Sequence, residues 1–305
     1  MAETTQEIDR LLSSAYAPST QVSYQQGIIA FEEFCKKHNL ACTYPVELDI
    51  IPHFVAYLSL AGKAFSTAKT YLAALSAKHR LNSWNDPTDT FLVKKLMKGF
   101  SRSAPSKDAR YPITIQRLQQ LVTSLKFVCN NSFEALLFKT AFVLAFFGFF
   151  RISELLGQNK SLQGCRQAIQ IDDIKISIDY LSIHLKGSKC DQSNKGETIR
   201  LALEKEYKEL CPVLTTSEFV KVRPKSAKTL LAHMNGKDLS SFQFQAVLRK
   251  AAKHLGWPPE SYSSHSFRIG AATTAAMRGE SINTIMEKGR WKSSAVNKYI
   301  RVDKA

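Results

Sequence analysis

The residues best suited to chemistry lie in the last 41 positions of the chain. His265 and Arg268 are three residues apart near the start of a predicted helix, so both side chains are expected on one face. Trp291 and Tyr299 follow. Arginine offers a two-pronged donor to phosphate, histidine carries a proton, an indole N–H donates to a phosphate oxygen, and a phenol attacks phosphorus. This set indicates an enzyme that cuts DNA with a tyrosine nucleophile.

Two upstream segments add cations to this set. Arg151 follows an apolar stretch directly, and a half-buried guanidinium needs a partner because an unpaired buried charge is costly. Glu154 is one candidate partner, and a phosphate is the other. Lys186 and Lys189 lie at the end of a predicted strand and in the loop after it. An ammonium there can protonate a leaving alkoxide if the loop reaches into a site.

Each of these residues also has an ordinary structural interpretation. A lone histidine more often caps a helix or lies in a core, and a tryptophan or tyrosine more often packs. A lysine on a hairpin is usually solvated, and an arginine three residues before a glutamate often forms a structural ion pair. The order and spacing of the whole set therefore favour catalysis more strongly than any one member does.

The positive charge of the chain lies mostly in its second part. The formal net charge is +16, from 42 Lys+Arg and 26 Asp+Glu. Residues 1–105 hold 11 basic and 9 acidic side chains, whereas residues 106–305 hold the other 31 and 17. Such a distributed basic surface favours a polyanion partner, nucleic acid first, over a surface that is basic only for solubility. Apolar residues make up 44% of the chain, which excludes global disorder.

Composition also disfavours metalloproteins, secreted proteins and membrane proteins. The six cysteines form no Cys-x-x-Cys pair and no metal-ligand spacing with histidine, which indicates reduced thiols. The first eight residues lack the pattern of a secretory signal. The longest apolar run, 141–150, is about half a membrane span. We therefore expect an intracellular protein with no membrane contact.

Helical periodicity dominates the first part of the chain. Residues 1–15 are expected to form a flexible or helical arm. Four further helices are predicted: one from Pro18 with Ser19 or Thr20 as its cap, one from Ile50 to Gly62, one from Ser66 to His79, and one from Phe91 to Phe100. The polar stretch that follows, up to Pro112, has little apolar periodicity and is predicted to be a linker.

The second part is predicted to be helical around one small sheet. Strands are expected at 174–178, 180–185 and 198–203, with the polar run 187–196 as a mobile hairpin loop. Helices are expected around Leu118–Leu125, Phe133–Phe149, Glu204–Leu210, Ser241–Leu255, Ser266–Met277, Ile282–Lys288 and Tyr299. The predicted fold class is mainly α with a small antiparallel β-sheet (α+β).

In this order, Arg151, a hairpin lysine, His265-x-x-Arg268, Trp291 and Tyr299 resemble the motif set of the tyrosine recombinase (phage integrase) family. The C-terminal stretch is especially similar to Cre-like members, which also have tryptophan at the fifth position. Trp291 and Tyr299 are eight residues apart, where Cre-like and bacterial members usually have nine. The short form resembles recombinases of eukaryotic mobile elements.

The resemblance implies a domain organisation. It places an N-terminal arm at 1–15, a helical, SAM-like core-binding domain that binds DNA at 16–104, a linker at 105–112 and the catalytic domain at 113–305. It further implies a partner, double-stranded DNA, and self-association into a tetramer on paired DNA sites, with no small-molecule substrate. The compartment would be the nucleus in a eukaryote and the cytoplasm in a bacterium or phage.

The resemblance also implies a mechanism. Arg151 and Arg268 would clamp the scissile phosphate, Trp291 would donate a further hydrogen bond, and Tyr299 would attack to form a 3′-phosphotyrosine. His265 would assist proton movement. No metal, ATP or other cofactor would be needed.

Three further residues complete the implied site. Lys189 would protonate the departing 5′-oxygen, with Lys186 as the alternative, and Glu154 would hold an arginine in place. Two other functions remain open at this point: relaxation of DNA by a type IB topoisomerase, which uses a similar residue set, and DNA binding by a domesticated, non-catalytic relative.

Overall fold

The computed structural model describes residues 1–103, 109–157, 168–186 and 196–304. The chain forms two compact units, Met1–Asp108 and Ala109–Ala305. The part of the chain that the structure describes contains no helix of the length and hydropathy needed to cross a membrane.

The first unit is helical. Its helices are α1 (Ala2–Ala15), α2 (Pro18–Lys37), α3 (Ile50–Leu60), α4 (Phe65–Leu81) and α5 (Phe91–Ser103). Its core contains aromatic side chains of α2 and α3, among them Phe31, Phe34 and Phe54. The predicted cap of α2 at Ser19 or Thr20 is wrong. Pro18 is the first residue of that helix, because its fixed φ suits the position and its missing N–H needs no partner there.

The second unit is mostly helical with one small sheet. Its helices are α6 (Ile115–Val128), α7 (Ser132–Phe147), α8 (Ile152–Leu155), α9 (Pro212–Val222), α10 (Ser241–His254), α11 (Ser264–Met277) and α12 (Ile282–Gly289). The strands are β1 (Ile174–Ile176), β2 (Tyr180–Leu185) and β3 (Glu197–Ala202), paired antiparallel in the order β1-β2-β3. The predicted fold class is confirmed.

Helix α7 lies at the centre of the second unit. Its sequence is apolar on most faces, and the residues from Leu137 to Phe146 are buried with the exception of Lys139. It packs against α6, α9 and α11. The Asn131 side chain accepts a hydrogen bond from the Glu134 amide at 2.9 Å and so caps its start. The helix therefore forms a rigid base for the residues that follow it, from Gly148 onward.

Three local predictions in this unit are wrong. The stretch 204–210, predicted as a helix, has only a single 3-10 turn at Lys208–Leu210, and α9 directly after it was not predicted. The region around Tyr299 is a 3-10 turn, Ser294–Lys298, instead of an α-helix. Strand β1 ends at Ile176, two residues earlier than expected, where the chain bends toward β2.

Candidate active site

Three segments that are distant in sequence meet through the side chain of Arg268. This side chain is 0% exposed. Its Nη1 donates a hydrogen bond to the carbonyl of Phe149, between α7 and α8, and its Nη2 donates to the carbonyl of Gly289, at the end of α12. Arg268 itself lies one turn into α11. The guanidinium therefore joins the α7–α8 turn, the start of α11 and the end of α12.

His265 and Arg268 are placed by the start of α11. The Ser263 hydroxyl accepts a hydrogen bond from the His265 amide at 3.3 Å and caps the helix. One turn later, Gly270 lets the helix approach the segment at Ile113, since a Cβ on Gly270 would lie only 1.7 Å from the Ile113 carbonyl oxygen. His265 is half-buried and Arg268 is buried, so the two side chains lie at different depths of the site.

An aromatic cluster surrounds the phenol of Tyr299. The ring centroids of Trp291 and Tyr299 are 4.8 Å apart, and those of His265 and Tyr299 are 4.9 Å apart. Arg268 Cζ lies 4.2 Å from the Trp291 ring centroid and 5.6 Å from the Tyr299 ring centroid, within the range of cation–π attraction. The four residues predicted from the C-terminal stretch are therefore brought together.

Tyr299 is the residue after the 3-10 turn Ser294–Lys298. Buried Val296 packs this turn into the core. The Thr273 hydroxyl, on α11, donates to the Tyr299 carbonyl at 3.3 Å and accepts from the Arg301 amide at 3.1 Å. The backbone from the Tyr299 carbonyl to the Arg301 amide is thus attached to the helix that carries His265.

Arg151 has the first of its two predicted partners, the carboxylate of Glu154. Arg151 precedes α8, and its Nη1 lies 2.7 Å from Glu154 Oε1, while its amide donates to Glu154 Oε2 at 2.9 Å. The Arg151 side chain remains 23% exposed, whereas that of Glu154 is fully buried. Glu154 therefore holds a guanidinium that is still partly exposed.

A third arginine reaches the same carboxylate, and the sequence did not identify it. Arg290 Nη2 donates to Glu154 Oε2 at 2.9 Å from a side chain that is only 5% exposed. The signal was present in Gly289-Arg290-Trp291, where an arginine follows the end of an amphipathic helix. Burial by itself would raise the pKa of Glu154, but the charges of Arg290 and Arg151 and the Arg151 hydrogen bonds hold that pKa below its ordinary value.

The buried centre has an excess of positive charge. Burial, followed by the charges of Arg151 and Arg290, lowers the pKa of Arg268 to about 10. Glu154 pairs directly with Arg151 and Arg290, and its negative charge also acts on Arg268. In addition, the Nε of Arg268 and the indole Nε1 of Trp291 are buried without a hydrogen-bond partner among the described residues. This arrangement suits an anion.

The two candidate lysines differ in what the structure shows. Lys186 Nζ forms an ion pair with Asp173 Oδ1 at 2.8 Å, and its side chain is 51% exposed. Lys189 lies outside the described residues. Among the described residues there is no group of histidine, cysteine and carboxylate side chains that could hold a metal ion.

Comparison with known families agrees with this arrangement. The model of the phage integrase family matches residues 117–305, more than half of the chain and nearly all of the second unit. The chain belongs to this family. The family resemblance inferred from the motif set is therefore confirmed, while the eukaryotic origin suggested by the Trp291–Tyr299 spacing stays a prediction.

Known relatives extend the likeness to the first unit. The integrase/recombinase XerD homolog of Selenomonas ruminantium is 24% identical over 302 residues, which cover 95% of this chain and 84% of the relative. The XerH site-specific recombinase, in a post-cleavage complex with palindromic difH substrate, superposes with a TM-score of 0.66 at 16% identity and covers 92% and 76% of the two chains. A lambda integrase dimer bound to a COC′ core site superposes with a TM-score of 0.65 at 16% identity, and the match covers 98% of this chain and 94% of the lambda integrase chain. These likenesses establish a shared fold.

Proposed function

We propose that this chain is a site-specific DNA recombinase that cleaves and rejoins duplex DNA through a covalent bond to Tyr299. The observation that carries the proposal is the buried cation cluster next to that phenol. Arg268, Trp291 and His265 all lie against Tyr299, and two of them hold unpartnered buried donors. A scissile phosphate is an anion with oxygen acceptors that fits these donors, and it would lie beside a nucleophile.

In the proposed reaction the arginines bind the phosphate and the tyrosine attacks it. Arg151 and Arg268 donate to the non-bridging oxygens and stabilise the charge that develops on them. The Trp291 indole N–H donates to one of the same oxygens. The phenol oxygen of Tyr299 bonds to phosphorus as the bond to the 5′-oxygen breaks, and His265 assists the transfer of the phenolic proton.

A lysine supplies the proton that the departing 5′-oxygen needs. Lys189 is the better match to the family pattern and Lys186 is the alternative. Lys186 already forms an ion pair with Asp173, which is a reason to prefer Lys189. A 5′-hydroxyl of a second strand then attacks the 3′-phosphotyrosine and reverses the step. One phosphodiester is exchanged for another, so the chemistry requires no ATP.

The DNA partner and the assembly are proposed on three grounds. The basic excess lies in residues 106–305, which contain the site. XerH and lambda integrase were solved on DNA, and one lambda integrase structure is a tetramer bound to a Holliday junction. We infer that this chain also acts as a tetramer on paired sites within the cell. The unit Met1–Asp108 would be its core-binding domain, and affinity would fall steeply with salt.

The test is capture of covalent protein–DNA adducts. The protein is mixed with fragmented genomic DNA from its source and quenched with detergent, and the attached DNA is sequenced, with Tyr299→Phe as the control. Adducts that map to a repeated inverted sequence and vanish in Tyr299→Phe support the proposal.

The other outcomes contradict it in different ways. Adducts scattered without sequence preference, together with relaxation of supercoiled plasmid, indicate a type IB topoisomerase. Clear, salt-sensitive DNA binding with no adducts indicates a domesticated, non-catalytic DNA-binding protein.

A further inference from the structure

Arg290 adopts a backbone conformation that ordinarily favours glycine. Its φ is 56° and its ψ is 43°, in the left-handed region, at the residue directly after α12. Phe149, two residues after the end of α7, also has a positive φ of 49°. Arg290 Nη2 donates to the Phe149 carbonyl at 3.3 Å, so these two left-handed residues lie against each other. A large charged residue at such a position needs a local explanation.

The Arg290 guanidinium is hydrogen-bonded on both of its Nη atoms. Nη1 donates to the carbonyls of Gly148 at 3.0 Å and Lys288 at 3.3 Å, and Nη2 donates to Phe149 and to Glu154 Oε2. The group also lies over the Phe150 ring, 5.4 Å from its centroid. Only a flat guanidinium has donors in the directions that this set requires.

Two of these acceptors are shared with the two phosphate-binding arginines. Glu154 accepts from Arg290 through Oε2 and from the Arg151 guanidinium through Oε1. The Phe149 carbonyl accepts from Arg290 and from Arg268 Nη1. A shift of the Arg290 side chain would therefore remove a donor both from Glu154, which holds Arg151, and from the Phe149 carbonyl, which holds Arg268.

We propose that Arg290 is a positioning residue that fixes Arg151, through Glu154, and Arg268, through the Phe149 carbonyl, at the spacing that the scissile phosphate requires. The inference rests on the proposed function, because the reaction it serves is cleavage by Tyr299. Arg290 would act through these two neighbours, because protein acceptors already occupy both of its Nη atoms. Its Nε is buried without a hydrogen-bond partner among the described residues and lies 4.0 Å from the Glu197 carboxylate on β3.

The test compares three substitutions of Arg290 in the full-length protein. Single-turnover cleavage of a site identified by adduct capture is followed at saturating DNA, beside DNA affinity and thermal melting. Arg290→Met keeps the length of the side chain and loses every donor. We expect its cleavage rate constant to fall by about 100-fold, since a misplacement of about 1 Å costs that much, with little change in DNA affinity. Arg290→Lys restores the charge beside Glu154 and should give an intermediate rate.

Arg290→Gly separates positioning from a role in the backbone turn. The left-handed conformation favours glycine, so the turn is kept while the donors and the buried side chain are lost. If Arg290 positions the arginines, Arg290→Gly cleaves as slowly as Arg290→Met at a temperature well below the melting transitions of both variants. If Arg290 only completes the turn, Arg290→Gly cleaves at the wild-type rate, and the proposal is overturned.

A double-mutant cycle with Glu154→Gln provides the second readout. If Arg290 acts largely through Glu154, the double variant is little slower than the slower single variant, because both substitutions break one network. If the two substitutions instead lower the cleavage rate constant by factors that multiply in the double variant, Arg290 does not act through Glu154. The matched control is Arg278→Met, which removes a surface arginine paired with Glu204 and Glu206 and should leave the rate unchanged.

The design also separates this inference from the proposed function. A wild-type protein that forms no adduct rejects cleavage by Tyr299 itself. A wild-type protein that forms adducts, with Arg290 variants that cleave equally fast, rejects only the positioning role.

Discussion

Replacement of Arg268 by methionine should abolish strand cleavage while it leaves the stability of the DNA-free protein nearly unchanged. Burial, together with the charges of Arg151 and Arg290, lowers the pKa of Arg268 from its ordinary value to about 10. At about 1.4 kcal/mol for each pKa unit, the charged side chain costs the folded protein roughly 3 kcal/mol. Because the folded-state pKa is the lower one, this cost is fully present at neutral pH and diminishes only as the pH rises above about 10.

The hydrogen bonds that methionine loses offset most of this gain. Arg268 donates to the carbonyls of Phe149 and Gly289, and a hydrogen bond to a charged group contributes about 1.5–3 kcal/mol. Two such bonds roughly equal the cost of the buried charge. The Phe149 carbonyl also keeps its bond from Arg290, so methionine leaves only the Gly289 carbonyl without its donor.

The assay measures urea unfolding and thermal melting of Arg268→Met and the wild type, each with and without cleavage-site DNA. We expect unfolding free energies within about 1–2 kcal/mol of each other without DNA, and stabilisation by DNA mainly in the wild type. A loss of about 3–5 kcal/mol in the DNA-free variant would refute the reasoning. Such a loss is typical of a buried cation that is already fully paired, and it would mean that no charge is left for a phosphate to neutralise.

Three further predictions concern the supports of the site. The pKa of Glu154 lies below its ordinary value of 4.5, so its carboxylate stabilises the fold above about that pH, and this stabilisation is lost as the pH falls through the folded-state pKa. Glu154→Gln should therefore weaken the fall of unfolding free energy at acidic pH, measured by urea unfolding. An unchanged fall would contradict this. Gly270→Ala should lower the free energy of unfolding by about 1–3 kcal/mol, because its methyl group would overlap the Ile113 backbone. An unchanged melting temperature would show that α11 can shift. Lys189→Met should cleave normal DNA slowly, and its rate should recover on DNA in which sulfur replaces the departing 5′-oxygen, because a thiolate leaves without a proton. Lys186→Met should cleave normal DNA at the wild-type rate. The opposite pattern would assign the proton donor to Lys186.

Local chemistry made several features of the site predictable. An arginine directly after a fully apolar segment required a partner, and a glutamate three residues later could reach it, as Arg151 and Glu154 do. The apolar faces of α7 indicated a central helix. The spacing of His265 and Arg268 placed both in one helix, as α11 confirms.

Other features depend on contacts that the sequence does not display. Helix α9 contains Val213, Thr215 and Thr216, β-branched residues with low helix propensity, and it is stabilised by packing against α7 and the sheet. Arg290 was not predicted because its partners, Glu154 and Phe149, lie more than 130 positions earlier in the chain. Its left-handed conformation is also one that a sequence pattern assigns to glycine.

The most direct test of the central claim is mass spectrometry of the covalent adduct after protease and nuclease digestion. The account predicts a nucleotide joined through its 3′-phosphate to the peptide that contains Tyr299, together with a DNA fragment that ends in a 5′-hydroxyl. Attachment to any other residue, a linkage through a 5′-phosphate, or cleavage without a protein-linked nucleotide would contradict it.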